Sequence, residues 1–294
     1  SPTGSGKSLI IYMLMRWMLQ NSTKKVLVVV PTTSLVQQMY ADFEDYSTYD
    51  ESFDVEKEVH RIYSGKPKMN VSHNFKSKSL TGIMNKSREA EYRFGTTGTL
   101  DGTKTHKLVL EGLFGRIYNV TTTKKLQDDN TLAPLDIKVL LLKYPEDVRK
   151  AWGKKDYHAE LDFIVKNEAR NRLITNLALD QNGNTLVLFQ YVEKHGKVLY
   201  ELIKNKAHSK RKIFFVSGEV DTNDREAIRQ IVETQKNAII VASLGTFSTG
   251  INIRNLHNIV FASPSKSQVK VLQSIGRGLR NSDDGSTTQL YDIA

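Results

Sequence analysis

Cysteine is absent from the 294 residues. That removes disulfides and thiolate metal sites, and it fits a reducing cytoplasm. No apolar stretch approaches the roughly 20 residues that a membrane-crossing helix needs, and no secretory leader is visible. Short-period repeats and low-complexity tracts are missing too, which argues against solenoids and biased linkers. What remains is globular in composition, 39% hydrophobic and 25% charged, with length enough for two domains, each with its own core. Acidic charge is in deficit: 42 Lys and Arg stand against 32 Asp and Glu, a net +10. Such an excess points first to a nucleic-acid backbone.

The chain is organised around its first eight residues, Ser1-Pro2-Thr3-Gly4-Ser5-Gly6-Lys7-Ser8. They read as a phosphate-binding loop opening a helix, with Thr3, Gly4, Ser5, Gly6, Lys7 and Ser8 as the cradle. Gly4 and Gly6 let successive N–H groups turn inward toward a polyphosphate. Lys7 supplies a point charge between the β- and γ-phosphates, and Ser8 a hydroxyl for Mg²⁺. The apolar run Leu9 to Met15 suits a buried helix with its N-terminus at the anion. A loop of this kind needs a second, acidic site at the end of an apolar strand. No hydrophobic run between 44 and 95 ends in Asp-Glu. The expectation is therefore a joined or trimmed version of a longer chain, with omissions before Ser1 and within 64–72.

Residues 24–30 read as a buried parallel strand, followed by the turn Pro31-Thr32-Thr33-Ser34 and a helix through Phe43. The hydroxyls of that turn suit a phosphate backbone, a helix cap, or both. Asp54 to Tyr63 is expected as one strand, and Tyr92 to Phe94 as another leading into a hydroxyl-rich turn at 95–100. Helical spacing covers Leu108 to Tyr118. Residues 137–142 suggest a strand entering a new domain, and 147–171 a charged helical stretch. A second α/β pattern follows, with strands at 185–189, 212–216, 238–242 and 258–262 separated by helices. The domain reading is 1–125, a connector at 126–170, and 171–294. Near the end, Arg277 and Arg280 share one helical face beside Gly276, a residue type suited to stabilising a transferring phosphoryl group. Upstream, the hydroxyl-rich stretch 245–252, with Thr246 and Thr249, suits ribose, nucleic-acid phosphates, or both.

Taken together, these stretches resemble the superfamily 2 helicases: α/β proteins with two RecA-like domains, each a mainly parallel sheet covered by helices, and ATP in an interdomain cleft. Ser1–Ser8 resembles motif I, Pro31–Leu35 motif Ia, Gly95–Leu100 motif III, Leu186–Gln190 motif IV, Ala242–Ile253 motif V and Gln273–Arg280 motif VI. Within the superfamily, residues 93–100, 112–118, 216–222 and 247–251 are similar to the phage UvsW-type family. The resemblance implies an ATP- and Mg²⁺-dependent helicase acting on branched or forked DNA and on RNA–DNA hybrids, monomeric, without a membrane partner, in the host cytoplasm. It implies Lys7, Gln273, Arg277 and Arg280 in catalysis and Gly250 at the nucleotide. Pro31, Thr32, Thr33, Gln190, Thr246 and Thr249 fall on nucleic acid, and Thr97, Gly98 and Thr99 in coupling. The departure is motif II, Asp-Glu-x-His: His73 stands where its last residue would fall, but Val71 and Ser72 are not carboxylates. The alternatives are a restriction-type translocase subunit, an RNA helicase and a non-hydrolysing ATP-gated clamp.

Overall fold

The computed structural model describes the chain apart from residues 1–5, 31–32, 51, 63–76, 88, 98–103, 153–155, 251–252, 254, 266–267, 280–284 and 286. At 34, 77–81, 104–106, 222–223, 226, 248–250, 268–270 and 277–278 it describes the backbone alone. Two compact units divide at Thr122, residues 1–122 and 123–294. Among the described residues, no helix is long and apolar enough to cross a membrane.

In the first unit, helices α1 (Lys7–Asn21), α2 (Thr33–Ser47), α3 (Val55–Glu58), α4 (Ser77–Lys86) and α5 (Lys104–Phe114) occur among the described residues. Tyr12 and Met15 of α1 meet Phe43 of α2, Phe53 and Val55 in one buried cluster. The Tyr12 ring stands edge-on to Phe43, Tyr46 and Phe53 at centroid distances of 5.4, 5.6 and 6.1 Å. At its margin Arg16 pairs with Asp50 (Nε–Oδ2 2.6 Å, Nη2–Oδ1 3.3 Å) and lies 4.3 Å over the Phe53 ring. The hydrogen bond from Arg16 holds the Asp50 carboxyl well below the usual carboxylate range.

Among the described residues, three strands expected here are not formed. Residues 24–30 have no ladder partner among the described residues, and Val26 and Leu27 are exposed. A β-branched run becomes a strand only beside a neighbour that takes its N–H and C=O groups. At 54–63, local capping wins instead. The Asp54 side chain accepts from Lys57 N at 3.2 Å and opens the short helix α3, whose first turn carries Glu56 and Glu58. Tyr92 to Phe94 is also outside any ladder, with the two rings stacked at 6.4 Å and Trp17 edge-on to Tyr92.

The second unit begins with α6 (Thr123–Asp128) and β1 (Leu135–Leu140), followed by α7 (Glu146–Trp152), α8 (Tyr157–Lys166) and α9 (Glu168–Asp180). The charged helical stretch expected at 147–171 thus falls on α7, α8 and the start of α9. Asp156 caps α8 through His158 N and Ala159 N, and Asn167 caps α9 through Arg170 N. Then come β2 (Thr185–Phe189), a π-turn at Val192–Gly196, α10 (Lys197–Lys206), β3 (Ile213–Val216), α11 (Thr222–Thr234), β4 (Ile239–Ser243), α12 (Leu244–Gly250), β5 (Asn258–Phe261), α13 (Gln268–Gly278) and β6 (Thr288–Ile293).

All pairings in this sheet are parallel, in the order β1-β6-β5-β2-β4-β3. Strand β6 was not expected from the sequence, yet it joins β1 to the rest. β2, β4 and β5 are buried at every residue, as befits strands covered on both faces. Alternation then sends Leu186, Leu188 and Ile240 to one core and Val187, Phe189 and Ile239 to the other. At the amino edge, Asn184 ties three loops by donating to the carbonyls of Val232, Gln235 and Asn255 and accepting from Ala238 N. That leaves the carboxyl edge, where the loops after β2, β3, β4 and β5 emerge together, as the place for ligands.

Candidate nucleotide and nucleic-acid sites

In the first unit the phosphate-loop signature ends on the start of α1. Gly6 is the N-cap, in the left-handed region at φ 72° and ψ 28°, where a side chain would be strained. The N-cap makes no side-chain hydrogen bond and the first turn of the helix holds no acid, which favours an anion at the positive end of the dipole. Lys7 is the first helical residue. Ser8 Oγ lies 3.2 Å from the Tyr46 hydroxyl of α2. Thr3, Gly4 and Ser5 lie outside the described residues, as do Pro31, Thr32 and His73. Thr33 is the first residue of α2. Thr97 is exposed, whereas Gly98 and Thr99 are outside the description. Gly95, just before them, is where a Cβ would come within 3.1 Å of the Phe114 ring, so the turn packs closely on the end of α5.

In the second unit Gln190 and the start of α12, with Thr246, lie at the carboxyl edge of the sheet, whereas Gln273 and Arg277 lie along α13, which runs back toward the amino edge. Gln190 follows β2 and is exposed, and its backbone N donates to Ser263 Oγ after β5 at 3.1 Å. On β4, Phe189's neighbour in register is Ser243. Ser243 caps α12 by accepting from Thr246 N at 3.2 Å, while its hydroxyl donates to Thr246 Oγ1 at 2.7 Å. Thr246 is thus buried, with its hydroxyl already accepting one bond. Gly218, after β3, faces the same hydroxyl: a Cβ there would sit 3.8 Å from it. Thr249 and Gly250 complete α12. Gln273 is half-buried on α13 and Arg277 lies one turn further along that helix; Arg280 is outside the described residues.

Sequence reasoning passed over the most densely bonded polar cluster of this edge. His195 of the π-turn is fully buried, with Nδ1 2.8 Å from Ser263 Oγ and Nε2 3.1 Å from Asn171 Oδ1. Asn171 Nδ2 donates to Val165 O, which leaves its oxygen to accept. Beside it, buried Arg170 donates to the carbonyls of Ala262 and Ile293 at 3.3 and 2.6 Å. Burial, reinforced by the Arg170 charge, lowers the His195 pKa to about 4. The imidazole is therefore neutral at pH 7, and Nε2 carries its proton toward Asn171. Among the described residues no group of three or more His, Asp or Glu is placed to hold a metal ion.

Two family models match this chain: the Type III restriction enzyme res subunit over residues 1–142, and the helicase conserved C-terminal domain over 168–282. The chain belongs to the superfamily 2 helicases, and its fold comprises two RecA-like domains. It is 34% identical, over 99% of its length, to the ATP-dependent DNA helicase UvsW of Enterobacteria phage T4. The chain spans 64% of that relative's length. The aligned stretch runs over 323 residues against 294 here, so the relative has internal positions without a counterpart in this chain. The crystal structure of T4 UvsW matches at 31% identity, covering all of this chain and 63% of that one, with a TM-score of 0.47. Yeast (S. cerevisiae) Dbp5 bound to Gle1 shares the fold, with a TM-score of 0.61 at 12% identity over all of this chain and 76% of that one.

Proposed function

We propose that this chain is the motor of an ATP-dependent DNA helicase that remodels branched DNA: Holliday junctions, stalled forks and R-loops. The observation that carries the reading is the likeness to an ATP-dependent DNA helicase along 99% of the chain. It is joined to a Gly-Lys-Ser helix start built for an anion. The host cytoplasm and a monomeric state belong to the same proposal.

The residues present fit a nucleotide. Gly6 turns the backbone, the acid-free start of α1 offers N–H groups, and Lys7 adds a charge for the terminal phosphates. When bound, Mg²⁺ supplies charge neutralisation at the phosphates, with Ser8 as the ligand this chain offers. Gln273 reads the terminal phosphate, and Arg277 and Arg280 stabilise charge on the transferring group. Thr97, Gly98 and Thr99 couple that chemistry to the grip on nucleic acid. The grip itself falls to Pro31, Thr32, Thr33, Gln190, Thr246 and Thr249, with Gly250 at the nucleotide. Contacts of this kind go to phosphates, so binding is strongly salt-sensitive and weakly sequence-dependent.

The test is DNA-stimulated ATP turnover, followed by comparison of a four-way junction, linear duplex, RNA duplex and RNA–DNA hybrid. Lys7→Ala is expected to abolish turnover, and unchanged turnover would remove the phosphate-loop assignment. Arg280→Ala is expected to lower kcat far more than ATP affinity, and an equal loss of binding would remove its transition-state role. One observation favours a second reading: no apolar run between 44 and 95 ends in an Asp-Glu pair. A non-hydrolysing ATP-gated clamp would bind ATP tightly and show no stimulated turnover.

A further inference from the structure

Two loops of the carboxyl edge, after β2 and after β5, are joined by one directed chain of hydrogen bonds. The Gln190 N–H donates to Ser263 Oγ. Because the neutral imidazole holds its proton on Nε2, Nδ1 is an acceptor and takes the Ser263 hydroxyl proton. Nε2–H then donates to Asn171 Oδ1, and Asn171 is fixed in turn by its bond to Val165 O. Every donor in this chain has one acceptor, so the imidazole fits in a single orientation.

The backbone is shaped to bring His195 there. The π-turn closes with Gly196 N on Tyr191 O at 2.8 Å, one residue wider than an α-turn. Such turns recur where a side chain must be re-aimed. Gly196 lies against Phe189: a Cβ there would be 2.5 Å from two ring atoms of a residue that is itself fully buried and stacked on Phe215. Glycine alone lets the turn sit this low on the sheet.

A Ser–His–Asn set invites a hydrolytic reading, which the geometry rejects. Ser263 is 5% exposed and His195 0%. The serine oxygen lies below the surface and already accepts from Gln190 N, so burial, and not the Ser–His bond, keeps a substrate carbonyl away from it.

We propose that His195 is a positioning residue for the nucleic-acid grip: through Ser263 it fixes the backbone of Gln190, and so the direction in which that exposed side chain meets a phosphate backbone. The inference rests on the reading of Gln190 as a nucleic-acid contact. Asn and Gln separate the two ends of the imidazole, since Asn places a polar atom near the Nδ1 position and Gln one near Nε2.

The experiment uses the full chain and a fluorescein-labelled oligodeoxythymidylate, with hydrogen exchange at the Gln190 amide and ATP affinity read in parallel. His195→Gln and Ser263→Ala are expected to speed exchange of the Gln190 amide and weaken oligonucleotide binding by on the order of tenfold. ATP affinity stays unchanged, and His195→Asn restores most of the oligonucleotide affinity. Ser263→Ala removes little volume, which keeps the test available if the histidine variants fold poorly. Combined with Gln190→Ala, His195→Gln adds no further loss if it acts through Gln190. Additive losses, or an unchanged Gln190 amide, would overturn the inference while leaving Gln190 on nucleic acid. A Gln190→Ala variant that binds as well as the parent would overturn both.

Discussion

Residues 123–294 and 1–122 carry the same kinds of sequence, apolar runs followed by polar turns and helices, yet they bury them differently. In the second unit the runs at β2, β4 and β5 lie between two layers of helix and are buried throughout. In the first, Leu9, Met13 and Trp17 of α1 and the run at Val26 and Leu27 remain exposed, beside a small aromatic cluster. The lesson is that an apolar run is stabilised by what lies across from it. β2 has β4 and β5 on either side in register, whereas residues 24–30 have no ladder partner among the described residues.

The difference can be tested by truncation. Ile240→Ala, at 1% exposure on β4 between β2 and β3, is expected to cost about 4 kcal/mol, seen as a large drop in the thermal midpoint of the second unit. A loss below about 1 kcal/mol would mean the sheet core relaxes around the cavity. Next in size is acid sensitivity. His195 in the fold has a pKa of about 4, against about 6.5 when unfolded, and the charge that faces it is Arg170 of α9. Between those values the unfolded chain binds a proton that the folded chain refuses. Stability is therefore complete above about pH 6.5 and falls by about 3 kcal/mol as the pH drops toward 4. Denaturant unfolding at a series of pH values checks this, and a His195→Asn variant should flatten the slope. The smallest effect belongs to the first unit: Met13→Ala, at 62% exposure, should change stability by less than about 0.5 kcal/mol. If it cost as much as Ile240→Ala, the exposed face of α1 would have a cover, and the contrast between the units would fail.

Local patterns account for much that was legible. Gly6-Lys7-Ser8 opening a helix and four continuous apolar strands in the second half are short-range signals, written in neighbouring residues. Strand β6 escaped because Asp292 interrupts a short run at the chain end. Its role, joining β1 to β5, comes from pairings with residues that lie far away in the chain. The strand expected at 54–63 failed because an Asp54 cap outbids β propensity over a few residues.

By itself, then, the sequence determined the helicase class, the helix that Gly6-Lys7-Ser8 opens and four strands of the second unit, because each depends on spacing within a few turns of chain. The tertiary structure decided which apolar runs found partners, and it joined Asn171, His195 and Ser263 across helix, turn and strand end. A hydrogen bond is set by distance in space, and residues so far apart in sequence acquire that distance only when the sheet closes.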